Sequence, residues 1–301
     1  MMTYVLYNPL ASNGNGEASA HSLGLPEEGT KYVDVRRIGD FIAYLDGKSP
    51  SDRIILAGGD GTLHCLINAL KGFCPAHPLY YYPCGSGNDF ARDIPDDKKE
   101  KDGTILLNPY LSHLPKVIIG DEERYFINGV GYGIDGYCCE EGDRLRASAP
   151  GQPINYTAIA IKGLLFRFKP RNAMVTVDGE EFVFPKAWLA PTMKGRYYGG
   201  GMIAAPHQDR LDPDGKVTLM TMYTTGKIRT LMVFPSIFKG EHIYHKYVKT
   251  VSGKEITVAF DKPCALQVDG ETFLGVTSYT VKAQGPSDDV KAKDTAVAKK
   301  A

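Results

Sequence analysis

Two stretches decide the fold: Arg53-Ile54-Ile55-Leu56-Ala57-Gly58-Gly59-Asp60-Gly61-Thr62 and, further on, Pro83-Cys84-Gly85-Ser86-Gly87-Asn88-Asp89-Phe90-Ala91-Arg92. Each sets small residues and a carboxylate after a run that reads as a strand and before one that reads as a helix. Backbone N–H groups at a helix N-terminus face an anion, and glycines let it come close. Both stretches therefore read as phosphate cradles. A carboxylate would repel a bare phosphate, so a divalent cation is expected beside it.

Around these cradles, strand and helix signals alternate. Residues 4–7 read as a strand, 8–16 as a loop and 32–35 as a second strand, with Phe41, Ile42 and Leu45 marking a short helix. Residues 54–57 are continuously apolar, as in a strand covered on both faces. Leu63, Leu66, Ile67 and Leu70 fall at i, i+3, i+4 and i+7, one face of a helix. Residues 79–82 make another strand, ended by Pro83. This βαβαβ order predicts a parallel sheet, and ligands of such sheets bind at the carboxyl ends of the strands, where both cradles lie.

From about Leu106 the texture changes. Short strands are expected at 117–119, 125–127, 173–177, 182–184, 217–221 and 256–260, separated by Gly, Asp and Pro turns. They predict an antiparallel β-sandwich domain, with helices at about 156–166 and 227–238. The expected division is an α/β domain over 1–105, a sandwich over 106–271, a segment 272–285 packing back toward the first domain, and a Lys/Ala/Asp-rich tail, 286–301, read as disordered.

Composition is that of an ordinary globular protein: 43% hydrophobic and 23% charged. Lys+Arg and Asp+Glu balance at 35 each, which gives no general attraction to nucleic acid. No apolar run approaches the roughly 20 residues of a membrane span. Asn8-Pro9 breaks the first apolar stretch, so no secretory signal is expected. Six cysteines without metal-site spacing read as reduced thiols of a cytoplasmic protein.

The chain resembles the diacylglycerol kinase catalytic family, with its bacterial lipid kinases and its sphingosine and ceramide relatives. The resemblance covers about 1–285 and rests on Asn8-Pro9, Gly58-Gly59-Asp60-Gly61-Thr62, the 85–92 stretch, Asn128-Gly129-Val130-Gly131 with Gly133-Ile134-Asp135, Asp214-Gly215, and Asp269-Gly270-Glu271. It implies a three-layer α/β nucleotide-binding domain like that of NAD kinases and phosphofructokinases, followed by the sandwich. The implied reaction is transfer of a phosphoryl group from ATP to a lipid hydroxyl, diacylglycerol first among acceptors, with sphingoid, ceramide and other glycerolipid acceptors as alternatives. NAD kinase shares the 58–62 motif and is an alternative of another class. A catalytically silent binding relative is a third.

Under this resemblance Asn8, Gly58, Gly59, Asp60, Gly61, Thr62, Gly85, Ser86, Asn88 and Arg92 would hold the nucleotide. Phosphoryl transfer asks mainly for positioning and charge neutralisation, and these residues are suited to that. An alcohol is a poor nucleophile at neutral pH and needs a base. Asp269 is expected in that role, with Glu271 as its helper, facing metal-chelated ATP across a cleft. The second copy of the motif, Asp178-Gly179-Glu180, reads as a hairpin turn. Asp60, Asp89 and Asp214 match a magnesium network of bacterial members.

Three departures stand out. Asn108 replaces the family's usual strand Asp. No basic residue precedes Lys31, so Arg92, Lys194 or Arg196 would have to meet the phosphates. Cys65 stands where relatives carry Glu, next to a His64 read as partly exposed. The lipid is reached at a membrane, so peripheral contact with its inner face is expected, through residues 159–171, where apolar and cationic residues mix. A flexible aromatic loop at 197–202 would line the acyl entrance. No nucleic-acid partner is expected, and a homodimer stays open.

Overall fold

Ile54, Ile55 and Leu56 offer no polar face to water, and in the computed structural model they are buried in the middle of a sheet. The structure describes residues 1–149, 152 and 154–285. They pack as two compact units, meeting in sequence between Leu114 and Pro115.

The first unit contains β1 (Thr3–Tyr7), β2 (Thr30–Asp34), β3 (Arg53–Gly58), β4 (Leu79–Pro83) and β5 (Ile105–Leu106). The order is β2-β1-β3-β4-β5. The first four strands run parallel and β5 runs antiparallel to β4, so the sheet is not wholly parallel. Its helices are α1 (Ala11–Gly14), α2 (Gly16–His21), α3 (Phe41–Asp46), α4 (Asp60–Leu70), α5 (Asp89–Asp93) and α6 (Asn108–Leu111). The first of these lies in the stretch read as a loop, and the second begins at that stretch's last residue. Asn8 shapes it: its Oδ1 accepts the Leu10 N–H at 3.0 Å and its C=O accepts the Ala11 N–H at 3.0 Å. Gly16 then passes so close to the Asn8 carbonyl that a Cβ there would overlap it.

The second unit contains β6 (Lys116–Ile119), β7 (Glu122–Tyr125), β8 (Gly129–Tyr132), α7 (Ile134–Ser148), and α8 (Tyr156–Lys162) continued by a π turn, Gly163–Arg167. Next come β9 (Arg171–Val177), β10 (Glu180–Ala187), β11 (Thr192–Met193), the small hairpin β12 (Tyr197–Tyr198) and β13 (Met202–Ile203), and β14 (Val217–Met222). It ends with α9 (Lys227–Val233), a 3-10 stretch Phe234–Lys239, β15 (Val248–Gly253), β16 (Glu255–Val268) and β17 (Glu271–Lys282). The main sheet runs β15-β14-β11-β8-β16-β17-β6-β7, with β9 also on β16 and β10 on β9. The long β16 changes neighbour along its length: residues 256–260 pair with β9 and 266–268 with β8, with register shifts around Cys264. That change of partner puts Val175, Val258, Tyr132 and Leu266 into one core.

Residues 272–282, expected to return to the first domain, instead form β17 of this sheet, because the Asp269-Gly270 turn folds them onto β16. Phe126 and Ile127 lie just beyond β7 rather than in it. Helix α7 escapes the sequence pattern because it packs by backbone approach more than by an apolar stripe. Only Ile134, Asp135, Gly136 and Gly142 are buried in it, and a Cβ on Gly136 would overlap the Ala265 carbonyl. The tail 286–301 lies outside the described residues.

Candidate active site

In the first unit the two glycine stretches are locked together by Asp60. Its Oδ2 accepts the Asp89 N–H at 3.0 Å and its Oδ1 the Phe90 N–H at 3.0 Å, so it caps α5 from the first turn of α4. Gly59 and Gly85 touch: a Cβ on Gly85 would overlap the Gly59 Cα. A Cβ on Gly58 would lie 2.5 Å from Thr62 Cβ. Those glycines are set by packing. Gly61 differs, since a Cβ there would meet nothing within 4 Å. It lies in the first turn of α4, whose N-cap, Gly59, has no side chain to cap it, so first-turn N–H groups remain for an anion.

Asn88 has a left-handed backbone, φ 53°, and closes the second stretch on itself, accepting the Gly85 N–H at 3.0 Å and donating to its C=O at 2.8 Å. Arg92 Nε donates to the Gly87 carbonyl at 2.8 Å. Ser86 is exposed and Asp89 buried. A pocket of about 250 Å³ opens beside Asn8, Thr62, Cys65, Phe41 and Arg36, sized for part of a nucleotide. Arg36 is a cation that the reading of the first loop missed. It follows β2 and is held by Asp34 at 2.6 Å. His64 is buried, 6% exposed, and turns toward Asn68.

The magnesium network implied by the resemblance would draw on Asp60 and Asp89 of the first unit and Asp214 of the second. Both Asp60 oxygens take backbone N–H groups. Asn108 is consumed locally, accepting from Leu79 N at 2.8 Å and donating to the Pro75 and His77 carbonyls at 2.9 Å. Asp214, in the second unit, is exposed and pairs with Lys216 at 3.0 Å, which holds its carboxyl below its ordinary value. Among the described residues no three His, Cys, Asp or Glu side chains come together to hold a metal.

In the second unit Asp269 and Gly270 form the two-residue turn between β16 and β17, at φ 48° and 95°. The Asp269 carboxylate accepts three backbone N–H groups: Ile127 at 2.7 Å, and Asn128 and Gly129 at 2.9 Å. Asp178-Gly179 between β9 and β10 is the same device, at φ 48° and 89°, its carboxylate accepting from Lys254 N at 2.9 Å and Glu255 N at 2.7 Å. Both turns satisfy the positive-φ demand of a type I′ hairpin. The 269 copy differs in its surroundings. Arg210 donates to the Ile127 carbonyl and, at 2.7 Å, to Asn128 Oδ1; Glu271 is exposed at the start of β17, as Glu180 is at the start of β10.

Among the buried polar groups of the same unit, Asp135 and Lys194 are shifted by their burial. Asp135, in the first turn of α7, accepts the Tyr198 hydroxyl at 2.9 Å, and burial pushes its carboxyl up to about 7. The segment 197–202 is therefore a pinned hairpin rather than a flexible loop, with Tyr198 4% exposed. Burial also pushes the Lys194 ammonium down to about 8, with the Arg210 charge adding to the effect.

Residues 2–109 match the family model "Diacylglycerol kinase catalytic domain", and residues 128–287 match "YegS C-terminal NAD kinase beta sandwich-like domain". The chain is 27% identical to a diacylglycerol kinase of Mycobacterium tuberculosis over 265 residues, covering 84% of this chain and 83% of that one. It is 26% identical to a diacylglycerol kinase of Bacillus subtilis over 226 residues, covering 73% and 71%. A crystal structure of a diacylglycerol kinase from Bacillus anthracis superposes with a TM-score of 0.64 at 19% identity, covering 95% of this chain and 94% of that one, a likeness of fold.

Proposed function

We propose a function from one premise: the chain belongs to the diacylglycerol kinase catalytic-domain family. It transfers the γ-phosphoryl group of magnesium-chelated ATP to a lipid hydroxyl, with diacylglycerol as acceptor and phosphatidic acid as product. The observation that carries this reading is the fusion of the two glycine stretches through Asp60, which leaves Gly61 and the α4 N-terminus facing open space. Phosphoryl transfer is catalysed mostly by holding the phosphates and neutralising their charge, and a rigid backbone cradle does both.

The acceptor hydroxyl needs a base. The geometry favours Glu271 for that role and Asp269 for positioning, the reverse of the expected division. Asp269 spends its oxygens on three backbone N–H groups, much as Asp178 spends its own on two in a turn with no assigned chemistry. Glu271 is exposed at the start of β17, fixed in register by the turn. A carboxylate reachable by substrate can accept the proton as the P–O bond forms.

The acceptor lies in a membrane. No helix among the described residues is long and apolar enough to cross one. Ile161 and Phe166 of α8 and its π turn, and Ile228 and Met232 of α9, are exposed, and Lys227 ties the two elements by donating to the Leu165 carbonyl at 2.8 Å. We read this face as a peripheral contact with the cytoplasmic leaflet, apolar tips entering the interface while cations meet anionic headgroups.

The test is phosphate transfer from labelled ATP to a panel of lipids in mixed micelles, with NAD as a control. Labelled phosphatidic acid is expected. Labelled NADP with no labelled lipid would sink the reading in favour of the nucleotide acceptor. Glu271→Gln should lower kcat by at least about 100-fold while leaving ATP affinity within about threefold. Near-normal turnover in that variant returns the role of base to Asp269.

A further inference from the structure

The second unit buries an ammonium that nothing in the protein bonds. Lys194 is 3% exposed and its Nζ has no hydrogen-bond partner. Its backbone is fixed, with its N–H donating to the Asn128 carbonyl at 2.9 Å. A cation stripped of water and given no acceptor is costly, and buried polar groups are nearly always satisfied. Such a group points to an anion that the protein itself does not supply.

Its surroundings narrow the anion. Arg210, 6% exposed, sends its guanidinium to the Ile127 carbonyl and to Asn128 Oδ1. Lys194 and Arg210 are thus anchored on one residue, Asn128, whose N–H is held by Asp269. The two cations repel each other, which adds to the burial that depresses Lys194. Asp209 and Asp212 attract Lys194 from a distance, but their side chains are turned to their own loop: Asp209 accepts Leu211 N at 2.9 Å, and Asp212 accepts Asp214 N at 2.9 Å and Lys216 N at 3.1 Å. A buried ammonium with three donors and no acceptor, with a second cation beside it, calls for an anion that offers several oxygens, which is the chemistry of a phosphate.

We propose that Lys194, backed by Arg210, binds a phosphoryl group beside the Asp269–Glu271 turn, resting on the kinase reading above. Lys194 gives the phosphoryl oxygens a compact point charge with three donors, and Arg210 holds the Asn128 peptide on which it is mounted. The phosphoryl transition state spreads negative charge over its oxygens, so a desolvated cation there lowers the barrier more than one in water. The same chemistry could come from the terminal phosphate of ATP or from the phosphorylated lipid.

The test uses the full chain and two variants, Lys194→Met and Lys194→Arg. Inorganic phosphate at millimolar concentration should raise the melting temperature of the native protein and of Lys194→Arg, but not of Lys194→Met. Without phosphate, Lys194→Met should melt no lower than the native protein, since it removes an unsatisfied charge. In turnover, Lys194→Met should lose about 100-fold in kcat with KM for ATP within about threefold. Binding arms with a non-hydrolysable ATP analogue and with short-chain phosphatidic acid identify the source by which affinity the variant loses. An equal phosphate response in native protein and Lys194→Met overturns the proposal, even if lipid is phosphorylated. A response that needs Lys194 in a chain that phosphorylates no lipid keeps the anion site and removes the kinase reading.

Discussion

Asp135→Asn should make the protein more stable, and by an amount that grows with pH. Asp135 is 7% exposed; one oxygen accepts the Tyr198 hydroxyl at 2.9 Å, and the other has no partner. Burial lifts its carboxyl from an ordinary 3.8 to about 7, against a smaller opposing pull from Tyr198. The folded state therefore prefers the protonated acid, whereas the unfolded chain ionises near 3.8. Stability from this group is fully present below 3.8, falls as pH rises toward about 7, and is flat above. At about 1.4 kcal/mol per pH unit the whole span is worth about 4 kcal/mol. Asparagine keeps an acceptor for Tyr198 and never ionises. Between about pH 5 and pH 8 the stability gap between variant and native protein should widen by about 3 kcal/mol. Urea unfolding of both proteins across that range measures it, and comparing the two cancels every other titrating group. A gap constant within about 0.5 kcal/mol would show that Asp135 is solvated or charge-compensated in solution, and the argument from burial would fail.

The two kinds of glycine should separate by variant. Gly85→Ala overlaps the Gly59 Cα and should cost about 2 kcal/mol or more in denaturant unfolding. Gly61→Ala meets nothing and gains helix propensity, so stability should hold or rise while ATP affinity falls at least about tenfold in calorimetry. An affinity unchanged by Gly61→Ala would take the phosphates away from the α4 N-terminus. At the proposed membrane face, the triple reversal Lys162→Glu, Arg167→Glu and Lys169→Glu should weaken sedimentation with anionic vesicles but not with neutral ones. Equal binding to both would retire the electrostatic part of that contact.

What the sequence discloses, and what it withholds, follows from the range of the interactions involved. Strand β3, helix α4 and the strand before Pro83 are legible because each is an apolar pattern closed by a local breaker. The roles of Asp60 and Asn108 are not. Asp60 meets Asp89 and Phe90 only because β3 and β4 are neighbours, and Asn108 ties down residues about 30 positions back in the chain, so no spacing rule announces either. Lys194 and Arg210 are ordinary surface residues by composition. They become a buried pair only when Asn128, far from both in sequence, receives one by its carbonyl and the other by its side chain.

The two Asp-Gly-Glu copies sharpen the point. Local sequence dictates the turn in both, and the structure makes the same turn twice, down to a carboxylate that staples a neighbouring segment. Close in sequence they differ by little: Gln267, which accepts the Gly270 N–H at 2.7 Å, stands where the first copy has Thr176. What separates them is the segment stapled: Asp178 holds the start of β16, while Asp269 holds the Ile127–Gly129 peptides that also anchor Arg210 and Lys194. Any chemistry confined to one copy would thus be a consequence of β8 pairing with β16 across more than a hundred residues of chain. A variant that keeps the turn but loses the staple, Asp269→Asn, should therefore disturb Glu271, Arg210 and Lys194 together, whereas Asp178→Asn should cost stability alone.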